Sequence, residues 1–221
     1  NCISLTSITI PDSVTSIGDG AFQSCRSLTS ITIGDSVTSI GNYAFRDCGS
    51  LTSITIPDSV TSIEYSAFSN CSSLTSITIP DSVTEIGNGA FVNCSKLTTI
   101  EIGAGNVNYT DINGVLFNRE KTVLLTYPAG KAGANYTMPD SVTSIGNYAF
   151  QNCTGLTGIT FRENSLLASI GNYAFQNCTR LTGITFGENS LLASIGNDAF
   201  QNCTRLTGIT FGENSLLASI G

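Results

Sequence analysis

Residues 28–50 read LTSITIGDSVTSIGNYAFRDCGS, and variants of this 23-residue stretch recur along most of the chain. Within it, Leu28, Ile31 and Ile33 are apolar, while Ser30 and Thr32 beside them are polar. Alternation with a period of two is typical of a strand that buries one face and exposes the other. The stretch therefore predicts one short strand in each repeat, with its Ser and Thr side chains on the outer face.

The rest of each repeat predicts a turn that leads back to the core. In one repeat, Pro57 and Asp58 follow the strand, where Pro ends strand pairing and Asp forms Asx-turns. Val60 and Ile63 then return apolar side chains to the interior. The Ala-Phe-x-x-Cys segment, such as residues 90–94, has apolar residues at i, i+1 and i+4. This spacing predicts one short helical turn with a buried side.

The cysteines give the length of the repeat. They are first 23 residues apart (Cys2, Cys25, Cys48, Cys71 and Cys94) and then 25 apart (Cys153, Cys178 and Cys203). A period of 20–29 residues with an L-x-x-I-x-I core is the signature of leucine-rich repeats. One coil cannot bury its apolar side alone, so the coils stack and their strands pair. We predict one domain, residues 1–221: a mainly-β, right-handed leucine-rich-repeat solenoid with one parallel sheet on its concave face and short turns or helical turns on its convex side.

One coil is larger than the others. Residues 1–102 consist of 23-residue repeats and residues 133–221 of 23- and then 25-residue repeats, whereas residues 103–132 follow neither pattern. Within this enlarged coil, the apolar stretches 114–117 and 122–127 flank the polar residues 118–121, which predicts a β-hairpin. We expect the hairpin to replace one Ala-Phe-x-x-Cys segment and the sheet to contain nine strands.

Composition excludes several functions. The chain has 16 acidic and 9 basic residues, a formal charge of −7, and no His. Nucleic-acid binding needs clustered Lys and Arg, so we expect no nucleic-acid partner. Catalysis by Ser-His-Asp or Cys-His and metal sites with His ligands are excluded. No apolar run approaches ~18 residues, so no membrane insertion is expected. The N-terminus does not resemble a signal peptide, and the chain begins and ends inside its repeats, which suggests a trimmed piece of a longer protein.

The repeats resemble those of a known family over essentially the whole chain. Residues 56–63 (IPDSVTSI) and 86–94 (IGNGAFVNC) are close to the consensus of the BspA-like, or Treponema-type, leucine-rich repeats. The enlarged coil resembles a recurrent variant in that family, through residues 108–110 (NYT), 111–117 (DINGVLF) and 127–131 (YPAGK). The resemblance implies a secreted or surface-attached protein of a host-associated bacterium or parasitic protist, implicated in adhesion to host proteins and cells. The family has no catalytic motif to carry over.

The cysteines and aspartates each have two interpretations. Eight cysteines in an extracellular protein suggest disulfides, but each Cys occupies the same core position and no C-x-x-C pair exists. We therefore favour buried, reduced thiols, with Cys2 the most reactive. A column of aspartates, one in each coil, suggests either Ca²⁺ binding or repeated turns (Asp12, Asp35, Asp58, Asp81 and Asp140). One carboxylate in each coil favours turns, so we expect no metal and no cofactor.

The outward Ser and Thr residues form a regular hydroxyl array. The candidate binding residues of this face are Ser30, Thr32, Ser53, Thr55, Ser76, Thr78, Thr99 and Glu101. Such an array suits hydrogen bonding to proteins or glycans, and ice binding is a third hypothesis. Glu101, the substitution of Gly or Ser for Thr, and the usual curvature of a leucine-rich sheet all argue against ice. A surface this uniform favours multivalent binding over recognition of one small ligand.

The enlarged coil interrupts this uniformity with aromatic and cationic residues. The candidate binding residues here are Tyr109, Phe117, Arg119, Lys121, Tyr127, Lys131 and Tyr136. Aromatic and cationic side chains often anchor interfaces, so specificity is predicted to depend on them. The alternative is that the aromatic side chains only pack against the solenoid. A second aromatic group precedes the Ala-Phe pairs (Tyr43, Tyr65, Tyr148 and Tyr173).

These observations predict a function without catalysis. The leading hypothesis is an extracellular or cell-surface module that binds host-matrix or cell-surface proteins through a large solenoid surface, for adhesion. The alternative is a structural coat protein that associates with itself through uncapped ends. An enzyme would need paired carboxylates in one cleft, whereas the acids here are spread along the coils, so no catalytic residue is predicted.

Overall fold

The repeats fold into a mainly-β solenoid of about nine turns, in which strands of successive coils pair in parallel. This computed structural model describes residues 2–163, 165–187, 190–213 and 215–221. The Glu and Asn turn positions of the C-terminal repeats (Asn164, Glu188, Asn189 and Asn214) lie outside the described residues, as does Asn1. The predicted solenoid is confirmed, while its handedness and the concavity of its sheet stay predictions.

The L-x-x-I-x-I cores form a surface that we call the Ser/Thr face. Its strands are β1 (Ser7–Thr9), β3 (Ser30–Thr32), β6 (Ser76–Ile79), β8 (Thr99–Ile102), β12 (Asn135–Thr137), β14 (Gly158–Thr160), β16 (Gly183–Thr185) and β18 (Gly208–Thr210). Pairing is in register, with Ser7 opposite Ser30 and Ser76 opposite Thr99. Eight of the nine expected strands are thus present among the described residues, because residues 51–56 have no strand assignment. Ile54 and Ile56 still point into the core there.

A second set of parallel strands was not predicted as a sheet. The Ser-Ile step of each repeat, expected only to return to the core, forms two-residue strands on another side of the solenoid. They are β2 (Ser16–Ile17), β4 (Ser39–Ile40), β5 (Ser62–Ile63), β7 (Glu85–Ile86), β13 (Ser144–Ile145), β15 (Ser169–Ile170), β17 (Ser194–Ile195) and β19 (Ser219–Ile220). Most coils therefore contribute two strands, and the isoleucine of the second strand is buried in most of them.

The prediction of helical turns was wrong. Within the described residues, the Ala-Phe-x-x-Cys segments are consecutive tight turns without a helix. Two residues of each segment have positive φ, for example Tyr43 (56°) and Asp47 (62°), which breaks the right-handed helix. Alternate N–H groups also point to the next coil: Phe45 donates to the Ala67 carbonyl at 2.8 Å. The segments therefore hold neighbouring coils together instead of bonding internally as a helix.

The core consists of ladders of identical side chains. Phe22, Phe45, Phe68 and Phe91 stack with ring centroids 5.3–5.7 Å apart, and Phe150, Phe175 and Phe200 of the C-terminal half stack at 4.9 and 5.2 Å. Cys thiols sit beside these rings, and five of them donate to the carbonyl of a Phe one coil back, as Cys71 does to Phe45 at 3.2 Å. These contacts make each coil depend on its neighbours, as expected for a repeat protein.

The enlarged coil is a three-stranded antiparallel meander. The predicted hairpin is confirmed as β10 (Val115–Asn118) and β11 (Val123–Thr126), and a further strand, β9 (Tyr109–Ile112), pairs with β10. β11 continues in parallel with β13 of the second sheet. Tyr127 takes the position of the core Phe, because it stacks on Phe150 at 5.1 Å and its N–H donates to the Ala149 carbonyl. The meander thus replaces one Ala-Phe-x-x-Cys segment, as predicted.

The meander also passes through the core. The buried side chains form two clusters, one from the N-terminal repeats and one from the C-terminal repeats. Strand β10 contributes to both, since Leu116 belongs to the first cluster and Val115 and Phe117 to the second. All three side chains are fully buried. The strand is therefore packed on both sides and joins the two halves of the solenoid.

Candidate functional site

The Ser/Thr face is an exposed surface of short polar side chains. Ser30, Thr32, Ser53, Thr55, Ser76, Thr78 and Glu101 are exposed, and Thr99 is half-buried. The strands hold these side chains about 4.8 Å apart from coil to coil. Beyond the meander the Ser column becomes Gly, and at Gly158 a Cβ would lie 2.5 Å from the Asn135 side-chain oxygen. The hydroxyl array is therefore continuous only in the N-terminal half.

The array ends at a charged edge beside the meander. Thr78 is opposite Glu101, and its hydroxyl donates to the Glu101 carboxylate at 3.5 Å. Asp111 on β9 lies next to the same strand, because its carboxylate accepts the Ile102 N–H at 3.3 Å and the Gly114 N–H at 3.0 Å. Two carboxylates thus border the uniform face where the repeat pattern stops.

A tight turn fills the space between Thr99 and the meander. Asn113 and Gly114 both have positive φ (52° and 77°) and connect β9 to β10. The Gly114 carbonyl accepts the Ile100 N–H at 3.0 Å, and the Lys131 ammonium donates to the Asn113 carbonyl. Thr99, Glu101 and Lys131 are therefore brought to one edge, and their role in binding stays a prediction. We call this the acidic edge: Thr99, Glu101, Asp111, Asn113 and Lys131.

The other cationic candidates lie at the tip of the hairpin. Arg119 and Lys121 are exposed there, and Asn118 closes the turn by accepting the N–H groups of Thr122 and Val123. The tip contacts the turn column of the next coil, since Ser141 donates to the Lys121 carbonyl at 2.8 Å. The recorded contacts of the tip are thus with the turns of the solenoid and not with the acidic edge.

The aromatic candidates of the enlarged coil are mainly packing residues. Phe117 is fully buried and Tyr127 is only 5% exposed, so both side chains belong to the core. Tyr136 is half-buried against the Tyr127 ring at 5.0 Å, and burial raises its pKa. The half-buried Tyr109 hydroxyl accepts the Ile86 N–H at 2.9 Å. The expectation that Phe117 and Tyr127 are surface anchors is therefore not met by their placement, and the packing alternative accounts for them.

The cysteines are free thiols placed as hydrophobic residues. Six of the eight are buried, and burial raises the pKa of Cys48 and of Cys94 to about 12. Cys2 is exposed as predicted, but Cys203 is only partly buried. The neighbouring Cys178 thiol lowers the pKa of Cys203. No group of three or more His, Cys, Asp or Glu side chains among the described residues is arranged to hold a metal ion.

Sequence reasoning missed Asp111 and Asn113 as members of the edge. Asn113-Gly114 between two apolar stretches is a strong hairpin signal, because both turn residues need positive φ. Reading that signal would have placed β9 against β10 and brought Asp111 to the sheet.

Among the described residues, no helix is long and apolar enough to cross a bilayer.

A family comparison matches the repeats directly. Residues 1–123 and 131–221 match the model described as "BspA type Leucine rich repeat region", in six copies. A search of curated proteins gives no significant match.

Solved structures with the same architecture come from bacteria. A leucine-rich repeat protein from Eubacterium ventriosum is 30% identical with a TM-score of 0.81, covering 98% of this chain and 66% of that one. The pneumococcal vaccine antigen PcpA is 24% identical with a TM-score of 0.75, covering 97% and 65%, so this likeness concerns the fold alone. A leucine-rich cell surface protein from Faecalibacterium prausnitzii is 27% identical with a TM-score of 0.54, covering 94% and 79%. The chain spans just under two thirds of the length of the first two.

Proposed function

Because the chain belongs to the BspA-type leucine-rich repeat family, a family of protein-interaction repeats, we propose that it is a non-enzymatic adhesion module outside the cell or on its surface. Its ligand is a host-matrix or cell-surface protein. The observation that carries the proposal is the exposed hydroxyl array in the N-terminal half of the Ser/Thr face, with the acidic edge at its end. The surface-protein relative from Faecalibacterium prausnitzii supports the location.

The size of the face favours a repeated, shared interaction. The hydroxyl array before the meander spans five coils, so at about 4.8 Å for each coil it is about 20 Å long, and three residues make it about 10 Å wide. This area of about 200 Å² is roughly a quarter of the ~800 Å² that each partner buries in a stable interface. The acidic edge must therefore add to the contact area, or several copies of the protein must bind together. In the second case avidity raises the overall affinity.

The acidic edge gives the face a direction. Glu101 and Asp111 are both held by hydrogen bonds at the end of an otherwise neutral array. A partner with a basic group at one end of an extended polar surface is therefore placed in a single orientation. Like charge opposite these carboxylates is costly, which excludes acidic partners at this position.

The test is a pull-down with the immobilised protein from matrix and cell-surface extracts. The triple variant Thr32→Lys, Thr55→Lys and Thr78→Lys changes the face and should abolish capture. The matched control changes three threonines that follow the cysteines, Thr154, Thr179 and Thr204, to Lys, and should retain capture. Equal capture by both variants at unchanged melting temperature would remove the Ser/Thr face from the proposal.

A second candidate function is self-assembly, as in a surface coat. Three exposed leucines, 25 residues apart, form an apolar line along the C-terminal repeats (Leu166, Leu191 and Leu216). Apolar patches of this kind often mark association surfaces. Light scattering over a range of concentrations tests it: a monomer at all concentrations contradicts self-assembly, while growth that is lost in Leu191→Glu supports it.

A further inference from the structure

A row of tyrosines lies beside the Ala-Phe segments, on a different part of the solenoid from the Ser/Thr face. The ring centroids of Tyr43 and Tyr65 are 5.3 Å apart in an edge-to-face arrangement. Those of Tyr148 and Tyr173 are 5.2 Å apart and stacked. Tyr148 also lies close to Tyr65, because both side chains line the same cavity. The four rings, from four coils, are therefore joined in one row.

The meander explains how residues 83 positions apart meet. It lacks the loop that carries the Ala-Phe-x-x-Cys segment, so the loops on either side of it approach each other, and the Asn152 amide donates to the Asn93 side chain. Gly89 faces the approaching ring, since a Cβ at this position would lie 3.5 Å from Cδ2 of Tyr148. The enlarged coil thus brings Tyr148 over the N-terminal repeats.

The rings enclose a small cavity. Its volume is about 180 Å³, and it is lined by Tyr43, Tyr65, Tyr148, Arg46, Ser66 and Ser69 among others. Both serines are buried. Cavities for drug-sized ligands are larger, roughly 300–1,000 Å³, so this one fits a single ring-sized group. Its lining combines aromatic side chains with hydroxyl groups and the Arg46 guanidinium.

Arg46 sets the charge of the cavity. Its guanidinium carbon lies 5.3 Å from the Tyr43 ring centroid, and its Nε is 3.6 Å from the Asp47 carboxylate. Nε is buried and has no hydrogen-bond partner among the described residues. An aromatic cavity without Arg46 would suit a cationic ligand, but the guanidinium opposes one. Arginine is well suited to bind carboxylates in a bidentate way.

Two of the tyrosines that line the cavity occupy costly backbone positions. Tyr43 and Tyr148 have φ values of 56° and 61°, in the left-handed region that bulky residues avoid. The corresponding positions of two other coils are Gly20 and Gly89, which adopt positive φ without this cost. Strained residues are often found at binding sites. The repeat thus contains a less strained alternative, and these coils carry aromatic rings instead.

We propose that this tyrosine cavity binds a carboxylate-bearing sugar unit at the end of a glycan. The tyrosine rings face the apolar C–H side of the sugar, and Arg46 pairs with its carboxylate. The buried serines give hydroxyl partners to the sugar hydroxyls. This site is independent of the proposed protein binding at the Ser/Thr face, and either can fail without the other.

Saturation-transfer NMR and titration with free sugars test the proposal. The acidic probes are N-acetylneuraminic acid and glucuronic acid, which distinguish two sources of the carboxylate, and the neutral probe is glucose. At least one acidic sugar should bind at least tenfold more tightly than glucose, and Arg46→Gln should remove that preference. Tyr43→Gly should weaken binding at least tenfold, and because Gly occurs at this position in other coils, the variant should fold.

Asp198→Gly is the matched control, because Asp198 has the same backbone position (φ 52°) in a coil outside the cavity. It should bind like the parent protein. Equal binding of glucose and the acidic sugars, or no binding of any sugar by the folded parent, would overturn the proposal. A preference for acidic sugars that persists in Arg46→Gln would also overturn it. So would a Tyr43→Gly variant that loses a protein ligand but binds the sugars like the parent protein.

Discussion

Phe117→Ala should destabilise the protein strongly, although sequence analysis proposed Phe117 as a binding residue. The side chain is fully buried in the C-terminal core cluster, on a strand whose neighbouring residue Leu116 belongs to the N-terminal cluster. Replacing a buried Phe by Ala costs about 3–5 kcal/mol through lost burial and the cavity that remains. We expect a loss in this range.

The location of the cavity predicts more than a loss of stability. The free energy of a repeat protein is approximately the sum of the contributions of its coils and of the interfaces between them. Phe117→Ala weakens the interface at which the two core clusters meet. We therefore expect unfolding in guanidinium to separate into two transitions, each with a smaller m-value than the parent protein, because each exposes less surface.

The assay is guanidinium unfolding followed by circular dichroism, together with the pull-down. Arg119→Ala is the matched control from the same hairpin, where an exposed side chain should change stability by less than about 0.5 kcal/mol. A loss below about 1 kcal/mol for Phe117→Ala would refute its placement in the core. Loss of ligand capture at unchanged stability would instead restore Phe117 as a binding residue.

Three further predictions follow from the cysteines and the meander. At pH 8, a thiol reagent should label Cys2 and Cys203 within minutes and the buried thiols only on unfolding; rapid labelling of more than two would contradict the burial. Because burial raises the pKa of Cys48 and Cys94 to about 12, the neutral thiols stabilise the fold fully below pH 9, and the melting temperature should fall from pH 9 to 12. Gly114→Ala should cost about 1–3 kcal/mol in thermal unfolding, since its φ is 77° and a Cβ would lie 2.8 Å from Cγ2 of Thr99; an unchanged melting temperature would argue against this turn.

The repeating part of the fold was predictable because its signal is repeated. Ser30 and Thr32 alternate with buried isoleucines in one coil, and the same pattern in the other coils removes the ambiguity of a short strand. The hairpin of the enlarged coil was also predictable from its two apolar stretches. The second sheet was not, because two residues such as Ser39 and Ile40 are too few to show a period.

The helical turns and the aromatic anchors were wrong for different reasons. The spacing of Ala44, Phe45 and Cys48 fits a helix, but the pattern does not report that Tyr43 and Asp47 adopt left-handed φ. The strand that contains Phe117 shows no alternation of apolar and polar residues, because it is buried on both sides. Such burial depends on the two neighbouring halves of the solenoid, which the local sequence does not describe.

The meander also constrains how such a gene can change. Residues 164–186 and 189–211 differ at one position, so recombination between their coding sequences adds or removes whole coils without disturbing the core ladders. The N-terminal coils have 23 residues and the last coils have 25. Exchange between the two groups therefore shifts the alignment of the core positions from one coil to the next. Strand β10 joins both cores, and its sequence does not recur in the repeats. Each half is therefore free to change its number of coils, while the junction between the halves is inherited as a single unit.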